Sequence, residues 1–484
     1  MMRPRAVRVL SGIAGTAALW AVAVSLSHGG QSSFAGLEFT TRSPYRPLLV
    51  SAACGLLAWA MTLARTPDEA REAPPTRPAR FVSLVALMIV TLNLLLLAQP
   101  PPPPPPFNGC FFDTDMGRGF HHFLNCDSPE YLGLAKDPSL VWTHGILQAR
   151  PLSFTLPYLL SQPLRLVPRL EKAGPYRPYA REFVAFLLIN LAALTSALLC
   201  FARVLNAGTG SRSGIELMPA LVLLGANDVT KFFFWTPHTQ VFILLMPCLS
   251  MYLVWRVLRR GAPLGVVQAV WLGLSLGVGA LIYGAFLIPA LCLAVAHVLV
   301  YRRVWPAVAV GAATLVPYAG WAAFVYARIG SFINWEATFY RHFLWIADCA
   351  RVSLASCGPV ARDNWITFFT TAAPVLVVPA LLLFGFRIAR YMWPGEAIPV
   401  RPRELGQTIA VTFVTTVVFM MLEGRYFPRL CWLLVPPILM AAVVEFQALR
   451  ISHPRARFTA VNVVVALILI TYVALLAARQ GPYT

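Results

Sequence analysis

Residues 81–115 read FVSLVALMIVTLNLLLLAQPPPPPPPFNGCFFDTD, and three kinds of chemistry follow one another there without a break. The first 18 residues carry no charge, long enough for a helix to cross the roughly 30 Å hydrocarbon core of a bilayer. Pro100 to Pro106 cannot lie inside a helix, because proline lacks an N–H and its ring clashes with the preceding turn. The run predicts a stiff polyproline II spacer. Past it, Asp113 and Asp115 open a stretch that continues to Arg150 and also holds Asp127, Glu130 and Asp137. Those five carboxylates are a quarter of the 20 acidic residues in the chain. A span, a stand-off and a concentrated acidic loop predict a membrane protein whose carboxylates stay wet, pair with cations or do chemistry.

The rest of the composition agrees. Hydrophobic residues make up 58% of the chain and charged residues 12%, against roughly 25% charged in soluble domains. Further apolar runs fall at 9–27, 47–64, 183–203, 216–230, 239–257, 264–281, 283–300, 305–326, 366–386, 407–422, 429–447 and 458–478. With 81–99 they predict an all-α polytopic membrane protein of about 13 transmembrane helices. Arg3, Arg5 and Arg8 place the N-terminus inside, and the run after them is long for a signal peptide, so an uncleaved span is expected. The polar linker 65–80 and the Arg-rich connections after Arg256, Arg302, Arg387 and Arg450 then all fall on the cytoplasmic side. This register divides the chain into an N-terminal two-span addition with its linker (1–80), a core (81–447) and a C-terminal span (448–484). The core carries large outer loops at 100–182 and 327–365. Residues 151–182, interrupted by Pro157 and Pro163, are too short in apolar length to span and predict interfacial helices.

The net charge of +19 is almost all Arg, since Lys occurs only at 136, 172 and 231. It fits loop bias and anionic lipid head groups, and no basic module with interleaved aromatics stands apart to bind nucleic acid. The nine Cys show no CxxC spacing, so no zinc site is expected. Cys110 with Cys126, and Cys349 with Cys357, are pairs that an oxidising compartment would join.

Four short elements bear on function. Asp127-Ser128-Pro129-Glu130-Tyr131 opens a helix, and the plain task for Asp127 is to cap it. Arg150-Pro151-Leu152 then enters the interfacial segment. Glu423-Gly424-Arg425-Tyr426-Phe427-Pro428 sits at the outer end of a late span, and Trp235-Thr236-Pro237-His238-Thr239-Gln240 enters the span at 241. In their order and sidedness these elements resemble the GT-C superfamily of membrane glycosyltransferases over about residues 81–447. Gln240 departs from the pattern, standing where many relatives carry a carboxylate.

The resemblance implies a GT-C-like fold and a reaction. Such an enzyme moves a sugar from a polyprenyl-phosphate carrier to a glycan, glycolipid or protein acceptor. It works on the outer face of a bacterial cell (inner) membrane, in envelope assembly. The resemblance implies Asp127 as general base, with Asp113 and Asp115 as further catalytic carboxylates. It brings Glu130, Tyr131, Glu423 and Tyr426 to the substrate, and sets Arg150, Lys231, Arg341 and Arg425 against the lipid phosphate. No cofactor is required, although Asp113-Thr114-Asp115 with His121, His122 and His144 nearby leaves a divalent metal as an open alternative to a solvated loop. Each Arg also has a plainer reading as an interfacial side chain reaching to head groups. Trp142, Trp335, Trp345 and Trp365 read as an interfacial belt or as a place for a sugar to stack.

Two other classes compete. A transporter or flippase for a lipid-linked or anionic substrate would carry ionisable residues at mid-membrane in matching halves. Asp228 is the clearest deep acid here, and no internal repeat is visible. A membrane acyltransferase would need a catalytic His beside a donor tunnel, for which His297 is the main candidate.

Overall fold

The computed structural model describes residues 6, 9–18, 20, 31–34, 37–40, 45–63, 78–97, 111–115, 121–125, 127–143, 147–166, 179–209, 217–392, 403–424, 428–452 and 455–478. After the short apolar helix Val9–Ala18 come β1 (Gln31–Phe34), β2 (Leu37–Thr40), α1 (Tyr45–Leu63) and α2 (Pro78–Leu97). The first large loop contains β3 (Phe111–Asp115), β4 (His121–Asn125), α3 (Ser128–Lys136) and α4 (Leu152–Ser161). Next come α5 (Ala180–Thr209), α6 (Met218–Gly225), α7 (Asp228–Phe233), α8 (Phe242–Arg259), α9 (Val266–Ala280), α10 (Leu287–Leu299) and α11 (Val304–Ile329). The last part comprises α12 (Trp335–Tyr340), α13 (Leu344–Val352), α14 (Leu354–Met392), α15 (Arg403–Glu423), α16 (Val435–Ser452) and α17 (Arg455–Ala478).

This is a helical, multi-pass membrane protein. Seven helices among the described residues are long and apolar enough to cross a bilayer: Ala180–Ala207, Phe242–Arg259, Val304–Ile329, Cys357–Met392, Arg403–Glu423, Leu430–Leu449 and Val461–Ala478. The runs at 9–27, 81–99, 264–281 and 283–300 contain the shorter apolar helices Val9–Ala18, Val85–Leu97, Val266–Ala280 and Gly284–Leu299. The all-α expectation is modified by two antiparallel hairpins, β1–β2 and β3–β4. Asp113-Thr114-Asp115 therefore lies on a strand rather than in a loop, with Asp113 opposite Phe123 and Asp115 opposite His121.

The run at 216–230 is corrected from one span to a broken pair. Helix α6 has eight residues, and the chain turns extended at Ala226 and Asn227 before α7 begins. The Asn227 side chain accepts the Thr230 N–H (3.1 Å) while the Thr230 hydroxyl accepts the Asn227 N–H (2.9 Å), a capping box. Nδ2 of the same Asn227 donates to the carbonyls of Leu223 (3.1 Å) and Leu224 (2.9 Å). One amide thus closes the first helix and opens the second.

The two most enclosed of the seven candidate spans are Phe242–Arg259 and Leu430–Leu449. Helix α8 packs against α5, α10 and α15, and α16 packs against α14. Lipid tails are as apolar as leucine, so close backbone packing and polar bonds have to hold such helices together. Gly273 and Gly277 of α9 supply the first: a Cβ on Gly273 would lie 2.6 Å from the Val310 carbonyl oxygen of α11, and one on Gly277 would collide with that of Thr314. Arg390 of α14 supplies the second, donating to Glu445 of α16 at 3.0 Å. Outward, Leu315, Val316 and Phe324 of α11 and Leu381, Phe384 and Ile388 of α14 are exposed, as lipid-facing side chains should be.

Helix α4, ten residues or roughly 15 Å long, covers half a bilayer and leaves Leu159 and Leu160 exposed, as expected of an interfacial helix. Cys349 and Cys357 form a disulfide joining α13 to the start of α14. The proline run and the Cys110–Cys126 pair lie outside the described residues. His297 is buried with both ring nitrogens taken by backbone: Nε2 accepts from the Leu264 N–H (3.1 Å) and Nδ1 lies 2.7 Å from the Leu293 carbonyl. That leaves it no nitrogen for acyl transfer.

Candidate active site

One end of the bundle collects the loop elements. The turn before α8 reaches α3 through Tyr131 and Thr239, and α2 reaches it through Asn93, whose carbonyl accepts from the Trp235 indole at 3.3 Å. Lys136 lies 5.1 Å over the Tyr179 ring beside the start of α5. Gln148 ties the acidic stretch to the end of α11: its carbonyl accepts from the Trp321 indole (2.7 Å) and its Oε1 from the Ile333 N–H (2.9 Å). Arg256 and Arg259 of α8, Arg387 and Arg390 of α14 and Arg403 of α15 sit at the opposite ends of their helices.

Asp127 occupies the position before α3, but its side chain makes no capping hydrogen bond. Its backbone already has helical angles (φ −75°, ψ −16°), which turns the carboxylate away from the helix N–H groups. The Asp127 N–H is instead fixed by Asn125 Oδ1 at 3.0 Å. Oδ2 lies 3.5 Å from His238 Nε2, with the Asp127 side chain 51% exposed and that of His238 buried. The plain task does not hold this carboxylate; it is wet on one side and faces an imidazole on the other.

Around that pair the walls are aromatic and cationic. His238 packs against the tilted rings of Tyr131 (4.9 Å between centroids) and Phe233 (5.2 Å). The Tyr131 hydroxyl is 3.4 Å from that of Thr239, and the Tyr283 hydroxyl donates to Gln240 Oε1 at 3.1 Å. The Arg150 guanidinium sits 5.4 Å from the Tyr283 ring, anchored by a 3.1 Å bond from the Leu152 N–H to the Leu281 carbonyl. Arg429 lies 5.4 Å from the Phe233 ring. Burial raises the Tyr131 phenol above its usual value, and Arg150 works against that rise. Burial pushes His238 below its usual value, Asp127 pulls it back, and Arg429 and Arg150 push it further down, so the ring is neutral at pH 7.

The second large loop closes the group from the far side. Phe343 donates its N–H to the Glu423 carbonyl (3.2 Å), and Trp345 donates its indole N–H to the Leu422 carbonyl (2.9 Å). His342 Nδ1 then lies 3.5 Å from Glu423 Oε1. Gly424, at φ +87°, takes the chain past Trp345 in a backbone region that L side chains rarely enter.

Of the residues singled out from sequence, Asp127, Tyr131, Arg150 and Glu423 come together, with Glu130 in the same first turn as Tyr131. Lys231 has another task. Its buried ammonium donates to the carbonyls of Leu476 (2.6 Å) and Ala477 (3.1 Å), closing the end of α17. Arg341 is exposed and pairs with Asp348 at the α12–α13 junction (Nε–Oδ2, 2.8 Å). Asp113 and Asp115 are placed by their backbone alone, and Arg425 and Tyr426 lie outside the described residues. Among the described residues no group of three or more His, Cys, Asp and Glu side chains converges on a point that could hold a metal ion.

Arg429, Tyr283 and the partner role of His342 were not legible beforehand. Arg429 directly follows the Glu423–Pro428 element, and that adjacency was the available signal. Tyr283 opens the apolar run at 283–300, where a Tyr ordinarily reads as an interfacial ring. Set against known proteins, the chain matches no family model, no curated protein and no solved structure.

Proposed function

We propose that this chain is a GT-C-type glycosyltransferase that moves a sugar from a polyprenyl-phosphate carrier to a glycan, glycolipid or protein acceptor. The observation that carries the reading is the Asp127 carboxylate, half exposed and making no capping bond, beside a buried His238 that itself lies within the electrostatic reach of Arg150 and Arg429. The acceptor hydroxyl attacks the anomeric carbon as the bond from that carbon to the phosphate oxygen breaks. Asp127 takes the hydroxyl proton, a contribution of roughly 10²–10⁴ in rate. The leaving lipid phosphate gains charge, and fixed guanidinium groups stabilise it without a nucleophile. Glu423 and His342 form a hydrogen-bonding wall suited to sugar hydroxyls.

About 13 spans in a GT-C-like bundle, in a bacterial cell (inner) membrane with the site on the extracytoplasmic face, complete the proposal. The Arg-rich helix ends opposite the site support that orientation, since basic loops favour the cytoplasm.

The test uses wild type and Asp127→Asn in nanodiscs with radiolabelled polyprenyl-phosphate sugars and an envelope extract. Transfer by wild type, lost in Asp127→Asn with donor binding intact, supports the proposal. Transfer that survives the change removes Asp127 as base. No transfer from any donor, together with substrate flux in proteoliposomes, replaces the enzyme by a transporter.

A further inference from the structure

We propose that His238 is a positioning residue for Asp127: locked as its Nε2–H tautomer, it donates to one carboxylate oxygen and leaves the other to face the acceptor. The catalytic half of this rests on the reading of Asp127 as the base; the tautomer rests on geometry alone.

The Gln240 N–H donates to His238 Nδ1 at 3.2 Å, so that nitrogen carries a lone pair. In a neutral ring the proton is then on Nε2, the atom 3.5 Å from Asp127 Oδ2. The ring has little room to turn, because it is buried to 3% exposure and packs against Tyr131 and Phe233. Among the described residues, the charged and titratable groups that face it are Asp127 at the start of α3, Tyr131 from α3, Arg150 from the turn before α4, and Arg429 from the turn before α16. Two guanidinium groups and burial oppose a second ring proton, and one carboxylate favours it. The imidazole is therefore a neutral donor of fixed direction. Its Nε2 lies 3.5 Å from a half-exposed carboxylate that makes no capping bond, and so bears on the direction in which Oδ2 points. Removing the donor also makes the carboxylate a stronger proton acceptor at equilibrium, since a hydrogen bond to the charged form favours that form.

Two substitutions separate positioning from packing. His238→Asn places an amide oxygen near the site of Nδ1, keeping the bond from Gln240 and losing the donor to Asp127. His238→Gln reaches the site of Nε2 with an amide N–H and restores that donor. In full-length protein labelled with [15N]histidine in nanodiscs, the His238 resonances should report the Nε2–H neutral ring from about pH 8 to 6, and Asp127→Asn should move them. An Nδ1–H ring, an imidazolium at pH 7, or resonances indifferent to Asp127→Asn would overturn the proposal. In the transfer assay, His238→Asn should lower kcat roughly 10²-fold at unchanged donor KM and move the acid limb of the pH profile upward. His238→Gln should recover most of the loss. Equal losses in both variants with an unmoved pH profile would leave His238 a packing residue. Absence of transfer by wild type with every donor would overturn the catalytic half, while the resonances still decide the hydrogen bond.

Discussion

Gly424→Ala tests how the second large loop is held to the site. At φ +87° an L-residue costs about 1–2 kcal/mol. An added Cβ would lie 2.5 Å from Trp345 Cδ1 and 2.6 Å from its Nε1, so the indole has to retreat. Retreat breaks its bond to the Leu422 carbonyl, worth about 1 kcal/mol. The sum is about 2–3 kcal/mol, and it falls on a peripheral element: α13 undocks from α15 while the bundle stays folded. Amide hydrogen exchange over 341–352 should accelerate about 30- to 150-fold, with the core helices unchanged. Activity should fall with it, because His342 reaches Glu423 only while α13 is docked. Unchanged exchange in this segment would refute the reasoning, as would exchange that rises equally everywhere.

Four further outcomes are expected. Lys231→Met removes two charge-assisted bonds of about 1.5–3 kcal/mol each, partly offset by no longer burying an ammonium, so the thermal half-life in nanodiscs should shorten at unchanged donor KM. Unchanged stability with a raised KM would return Lys231 to the substrate. Arg429→Ala should raise donor KM about 10- to 100-fold, and Arg341→Ala should not; equal effects in donor titrations would count against the site as drawn. Gly277→Val forces a branched side chain into Thr314 and Pro317, at about 1–3 kcal/mol or more of overpacking, and limited proteolysis should become faster at α9 and α11. Lastly, Arg341 holds the Asp348 carboxyl below its usual value, through their hydrogen bond first. The pair's contribution is therefore present above about pH 4 and is lost as pH falls through the depressed folded-state value. NMR titration should show Asp348 returning to the ordinary range in Arg341→Gln, and an ordinary midpoint already in wild type would refute this.

Local chemistry was readable in the residues, and chemistry across helix ends was not. Asp127, Tyr131, Arg150 and Glu423 belong to short elements whose order along the chain already assigned them to one side. The run at 216–230 looked like a span because hydropathy averages over Asn227, whose single amide turns one helix into two. Lys231 looked like a phosphate ligand because nothing near it in sequence names its partners, the carbonyls of Leu476 and Ala477. Arg429, Tyr283 and His342 escaped for a related reason: each acts through a partner brought over by another helix. The strand character of Asp113-Thr114-Asp115 was hidden by its acid content, which reads as loop until His121–Asn125 pairs with it.

The bonds that close α17 also constrain the order of assembly. The carbonyls that receive the Lys231 ammonium are synthesised 245 and 246 residues after it. Until α17 has inserted, α7 carries a cation without those acceptors, next to the turn that presents His238. Insertion of α17 supplies those two acceptors, so the last of the described helices to be made also helps to set the floor of the site.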